Sequence, residues 1–136
     1  MVKEKVLIFD YHKVLFPFTP EAESTLEELK RRGYRLGSLS SLNAPKFDAV
    51  TEHYKIDLPF SAKKLKVSKN ESAVYQTYCE KYDLFAEDCV LIDDNTEYLF
   101  LAKELGWQTV LFRSGDQPEY VDYQIDKIEE LLNIEF

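Results

Sequence analysis

The chain has 136 residues, the length of one domain, and 45% of them are hydrophobic, enough to bury roughly two-thirds of the unfolded surface around a single core. Its 17 basic and 25 acidic residues leave a formal net charge of −8, which repels polyanions and argues against general binding to nucleic acid or to an anionic membrane. The longest apolar runs, such as Val6 to Phe9 and Val90 to Ile92, fall far short of the ~20 residues that cross a bilayer, and the N-terminus shows no apolar signal core; a cytoplasmic protein is expected. Cys79 and Cys89 have no partner histidines at metal-ligand spacing and are expected to be reduced, buried side chains. Four scattered glycines and five prolines mark no linker, low-complexity tract or repeat, so residues 1–136 are expected to form one domain.

In chain order, Val6-Leu7-Ile8-Phe9 is an uninterrupted apolar run of strand length, as for a strand covered on both faces. Thr19 and Pro20 predict a helix start, with Ala22, Leu26 and Leu29 on one face, Arg31 and Arg32 in the last turn and Gly33 beyond it. Tyr34 to Leu39 reads as a second strand. Asn43 and Pro45 predict a helix burying Phe47, Val50 and Tyr54, and a short strand is expected near Ile56 to Phe60. Ser68-Lys69-Asn70-Glu71 has capping-box spacing and predicts a helix offering Val74, Tyr78 and Tyr82 to the core. Cys89 to Ile92 reads as another buried strand, Leu99, Ala102 and Leu105 as a helix ending at Gly106, and Thr109 to Phe112 as a further strand. Tyr123 to Ile125 predicts an edge strand, and Asp126-x-x-Glu129 a capped last helix burying Ile128, Leu131 and Leu132.

This alternation predicts a doubly wound, Rossmann-like parallel sheet between two helical layers, a three-layer α/β/α fold. In such sheets chemistry collects at the carboxyl ends of the strands, where the winding reverses. The polar residues that follow strands are Asp10 and His12, then Ser40 and Ser41, then Asp93, Asp94 and Asn95. Three carboxylates on one rim, with a hydroxyl and the Lys69 ammonium nearby, suit a hard divalent cation beside a bound anion. Magnesium and phosphate fit that description.

With VLIFDYHKVLF, RLGSLSS, VSKNES and VLIDDNTEYLFLAKELGWQTVLF in order along nearly the whole chain, the sequence resembles the haloacid dehalogenase superfamily of phosphotransferases. The resemblance implies that Asp10 is a nucleophile forming an aspartyl-phosphate, which water then hydrolyses. Magnesium would be held by Asp10, the main-chain carbonyl at His12 and the acids Asp93 and Asp94, with Asp94 as the inner ligand. Ser40 would donate a hydrogen bond to a phosphoryl oxygen, and Lys69 would offset the charge of phosphate and Asp10.

Three positions depart from the family pattern. His12 stands where active phosphatases carry a second aspartate as acid/base, and an imidazole, able both to give and to accept a proton, can do both jobs. Tyr98 stands four residues after Asp94, where Asp or Asn commonly supports the metal site. Asn70-Glu71 replaces the Pro-Asp of many relatives. The intervals from Asp10 to Ser40 and from Ser40 to Lys69 are consumed by predicted helices and strands, so no cap domain is expected. An open crevice suits bulky or macromolecular phosphates, which Lys63-Lys64-Leu65-Lys66 could attract. Two readings result: a magnesium-dependent phosphomonoester phosphatase, or a degenerate module that binds a phosphorylated ligand or protein partner without turnover. A structural interaction domain ranks last. Oligomeric state is left open by the sequence.

Overall fold

The computed structural model describes residues 5–136, so the reading of the extreme N-terminus lies partly outside the described residues. Six parallel strands form one sheet in the order β3-β2-β1-β4-β5-β6. They are β1 (Val6–Phe9), β2 (Arg35–Ser40), β3 (Leu58–Ser61), β4 (Cys89–Asp93), β5 (Gln108–Phe112) and β6 (Tyr123–Ile125). Alternation of side chains along each strand divides the core in two. Leu7 and Phe9 pack with Leu26 and Leu29 of α1 (Pro20–Arg31) and with Phe47 and Val50 of α2 (Ala44–Tyr54). Val6 and Ile8 pack on the other face with Val74, Tyr75 and Tyr78 of α3 (Ala73–Tyr82) and with Leu99 and Ala102 of α4 (Thr96–Glu104). The expected three-layer, doubly wound sheet is therefore the fold, and among the described residues the connection from β1 to β2 carries α1 and no inserted domain.

Local chemistry explains most element boundaries. Thr19 adopts an extended conformation and its hydroxyl accepts from Ala22 N at 3.1 Å, capping α1 as expected. Gly33 and Gly106 take positive φ just beyond α1 and α4. Asn95 caps α4, its Oδ1 accepting from Glu97 N at 2.9 Å and Tyr98 N at 3.3 Å.

Two caps differ from the sequence expectation. The Ser68 to Glu71 box does not open α3: Ser68 donates to Asn70 Oδ1, Glu71 N bonds Ser68 O, and the helix begins at Ala73. Lys69 thus lies in a turn before the helix. The last helix is a 3₁₀ segment, Ile128–Asn133, in which Glu130 Oε1 accepts from Asp126 N and Lys127 N at 3.1 and 2.9 Å; Glu130, not Asp126 with Glu129, closes that end. Leu132 is only half-buried, while Ile128 and Leu131 are core.

Because β1 lies between β2 and β4, the winding reverses between β1 and β4, and the ends of these two neighbours carry Asp10 and Asp93-Asp94. Asp10 N extends the pairing by donating to Ile92 O at 3.0 Å.

Candidate active site

A cleft of about 460 Å³ opens at the carboxyl end of the sheet, lined by Asp10, His12, Lys13, Ser40, Ser41, Leu42, Lys69, Asp94, Asn95 and Tyr98. Four elements that are distant in sequence therefore deliver the expected residues to one place. Another hollow, between α1 and α2, contains no such convergence and lies away from the strand ends.

Asp10 is buried, and its Oδ1 takes both Tyr11 N at 2.9 Å and Lys69 Nζ at 3.1 Å. Among the described residues no donor reaches Oδ2. Lys69 is 3% exposed and also donates to Asp93 Oδ2 at 2.8 Å. Asp93 is fully buried, and its Oδ1 accepts from Asn95 N at 3.0 Å, so both of its oxygens are engaged. Carboxylate oxygens of Asp10, Asp93 and Asp94 lie within 4.8 Å of one another.

This crowding shows in the acidities. Burial pushes the Asp93 carboxyl up to about 7, with Lys69 pulling it down and Asp10 repelling it. Burial likewise raises Asp10 against the pull of Lys69, and Asp94 adds to the rise. For Lys69, burial alone would disfavour the ammonium, but Asp93 and Asp10 more than offset it and raise its pKa. One ammonium thus pairs with two of the three carboxylates, Asp10 and Asp93. An all-oxygen donor set with excess negative charge is what a hard divalent cation requires, so the residues present fit magnesium.

The loop after β1 is fixed. Tyr11 O accepts from the N–H groups of Val14, Leu15 and Phe16 at 3.2, 2.9 and 2.8 Å, Lys13 takes positive φ, and Tyr54 OH donates to Leu15 O at 3.0 Å. His12 projects from this loop as an exposed residue on the cleft. Ser40 is buried at the end of β2, its Oγ accepting from Leu42 N at 3.1 Å, which leaves the hydroxyl proton to donate into the cleft.

Two contributors were not assigned from sequence. Tyr75, a core aromatic of α3, donates from its hydroxyl to Lys69 O at 2.7 Å and so anchors the lysine backbone. Tyr98 places its ring 4.7 Å from Lys69 Nζ. The sequence marks Tyr98 as a departure from the family pattern and Tyr75 only by helical spacing; their contacts with Lys69 depend on where the 69–72 turn runs. Lys63, Lys64 and Lys66 are exposed, Lys63 bonding Asn43 Oδ1 at 2.6 Å. His53 is an exposed helix residue, stacked on Phe18 and 3.3 Å from Glu23. Trp107 is core. The cysteines are free as expected, but only Cys89 is fully buried; Cys79 is half-buried because it lies on the flank of α3.

A parallel sheet with its acids at the switch point, Ser40 on the next strand and a buried lysine between the acids defines a Rossmann-like α/β core with one candidate active site. No family model matches the chain. It is 31% identical over 121 residues to (S)-2-haloacid dehalogenase 4A of Burkholderia cepacia, covering 82% of this chain and 52% of the relative. It is 25% identical over 147 residues to glyceraldehyde 3-phosphate phosphatase of Pyrococcus furiosus, covering 93% and 59%. The solved structure of a dehalogenase with an intermediate complex superposes with a TM-score of 0.73 at 30% identity, over 85% of this chain and 55% of that one. The chain belongs to the haloacid dehalogenase superfamily. It spans somewhat more than half the length of these curated relatives. Among the described residues no helix is long and apolar enough to cross a membrane.

Proposed function

We propose that this chain is a magnesium-dependent phosphatase that hydrolyses a phosphomonoester through an aspartyl-phosphate at Asp10. The observation that carries this reading is the set of three carboxylates within 4.8 Å of one another, two of which, Asp10 and Asp93, share the buried ammonium of Lys69. A magnesium ion held by Asp10, Asp94 and the main-chain carbonyl of His12 would balance that charge and offset repulsion between Asp10 and the phosphate oxygens. Asp93, with both oxygens engaged, supports the site by fixing Lys69.

The steps assigned to the chain's own residues are as follows. Asp10 Oδ2 attacks phosphorus, the bond from phosphorus to the ester oxygen breaks, and His12 gives that oxygen a proton. Ser40 and Lys69 hold the phosphoryl oxygens as charge builds on them. His12 then takes a proton from water as the water oxygen attacks phosphorus, releasing phosphate and restoring the Asp10 carboxylate. The cleft is bordered by the end of β2, the start of α4 and the loops between, and the exposed lysines at 63, 64 and 66 follow β3 at the same carboxyl edge of the sheet, which suits a bulky phosphorylated substrate.

A dehalogenase reading is favoured by the Burkholderia relative, because an aspartate can also displace halide from carbon. Against it, among the described residues no arginine lines the cleft to grip a substrate carboxylate, and Asp94 places a further negative charge there. The second reading retained is a module that binds a phosphorylated ligand without turnover, favoured by His12.

The test is incorporation of labelled phosphate from acetyl phosphate with magnesium, followed over time in the protein and in Asp10→Asn. Asp10-dependent labelling followed by decay is expected. No labelling in folded, magnesium-binding protein would transfer the assignment to the binding module, and magnesium-independent halide release from 2-chloropropionate would transfer it to a dehalogenase.

A further inference from the structure

We infer that Cys79 and Cys89 are a peroxide-reactive thiol pair, a site of reversible modification that closes to a disulfide away from the Asp10 cleft. These are the chain's two cysteines, and α3 and β4 bring their sulfurs to 3.7 Å. That is contact distance, within about 2 Å of the S–S bond length of about 2.05 Å. Placement on two different elements ties the approach to the packing of α3 on β4, not to a flexible loop.

The surroundings divide the labour between the two thiols. Cys79 is half-buried on the flank of α3 and can be reached from solvent, whereas Cys89 is fully buried with its sulfur against that of Cys79. Between them a single hydrogen bond is shared, and Cys89 Sγ also lies 3.5 Å from Phe85 O. The Cys89 thiol holds the Cys79 thiol down to about 7, below the usual thiol range, against the opposing effect of burial. In the same contact Cys89 is raised well above it. Cys79 is therefore the thiolate nucleophile and Cys89 the proton-bearing partner.

The chemistry balances with a hydroperoxide as oxidant. The Cys79 thiolate attacks the O–O bond, sulfur is oxidised to sulfenic acid, and the peroxide is reduced, its leaving oxygen departing as alcohol or water after taking a proton. Cys89 sulfur then attacks the Cys79 sulfur, the S–O bond breaks, and water leaves carrying the Cys89 proton. A dithiol returns the pair to its reduced state. Closure links α3, whose Tyr75 anchors Lys69, to β4, which ends at Asp93.

The experiment treats the full chain with a small excess of hydrogen peroxide and reads intact mass, free thiols after denaturation, and melting temperature. Expected are a loss of about 2 Da in a monomeric product, disappearance of both thiols, and a melting temperature higher by about 5–10 °C, all reversed by dithiothreitol. Cys89→Ser should instead gain about 16 Da and be trapped by dimedone, while Cys79→Ser should keep its one thiol under the same dose. No 2 Da loss, a disulfide found only between chains, or equal oxidation of the Cys79→Ser protein would overturn the inference. None of these readouts depends on phosphatase activity.

Discussion

His12 occupies the position where a short carboxylate is expected, and its place on a loop held by three hydrogen bonds to Tyr11 O decides what the imidazole can do. A residue that protonates poor leaving groups and activates water is dispensable when the leaving group is already a weak base. Thus His12→Ala should label with acetyl phosphate nearly as fast as the parent, yet lose label about 10²–10⁴-fold more slowly. Equal decay in the two proteins, followed by acid-quench counting, would remove His12 from the hydrolytic step. Tyr98 poses the complementary case, an aromatic ring where an amide or acid was expected. Its π-face lies against the Lys69 ammonium, an interaction of about 0.5–2 kcal/mol. Inorganic phosphate should therefore bind about 3–10-fold more weakly to Tyr98→Leu, and Tyr98→Phe, which keeps the ring, should bind as the parent does by calorimetry. The placement of Asp10, Ser40 and Asp93-Asp94 at strand ends was legible because Asp10 and Asp93 directly follow apolar runs and Ser40 follows the strand read over 34–39. Tyr75's grip on Lys69 O was not, because it depends on a turn that no periodicity describes.

At the scale of elements, the strands and the helices α1, α2 and α4 follow from apolar runs, Thr19 and Asn95 caps, and positive-φ glycines after the last turns. The start of α3 does not. Ser68, Asn70 and Glu71 have the chemistry of a cap but spend it on each other in a turn that delivers Lys69 to the acids. Local propensity yields there to a buried ion pair. The same helix imposes a requirement on β2: Tyr78 reaches across Gly37 to donate to Leu58 O at 2.7 Å. A β-carbon at Gly37 would occupy the space of the Tyr78 hydroxyl and press on Ile8 and Leu58. Gly37→Ala should destabilise the protein by about 2–3 kcal/mol through overpacking. Adding Tyr78→Phe should recover part of that loss, since the clashing oxygen is gone. Denaturant midpoints of the two single variants and the double variant test the coupling; strict additivity would show that the tyrosine is not the obstacle.

For the whole molecule, the acidic composition sets repulsion but the buried aromatic groups set the upper pH limit of stability. Nine tyrosines are spread along the chain, and their ring periodicity marks core positions without revealing which hydroxyls are sealed. In the fold, Tyr11, Tyr75 and Tyr78 are fully buried, each donating or sharing a hydrogen bond. Burial pushes Tyr11 up to about 12, and it raises Tyr75 and Tyr78 further. An acid raised in the folded state is neutral in both states below its unfolded pKa near 10, so it costs nothing there. Above pH 10 the unfolded chain releases these protons first and is favoured, and for Tyr11 the loss grows until about pH 12. Tyr11 alone should contribute a loss of about 2–3 kcal/mol across that window. The melting temperature is therefore expected to be nearly flat on the approach to pH 10 and to fall steeply above it. Tyr11→Phe, although it forfeits the bond to Thr51 and starts less stable, should show a shallower fall. Parallel curves for the two proteins between pH 10 and 12 would mean that Tyr11 ionises in the folded state as readily as in the unfolded one.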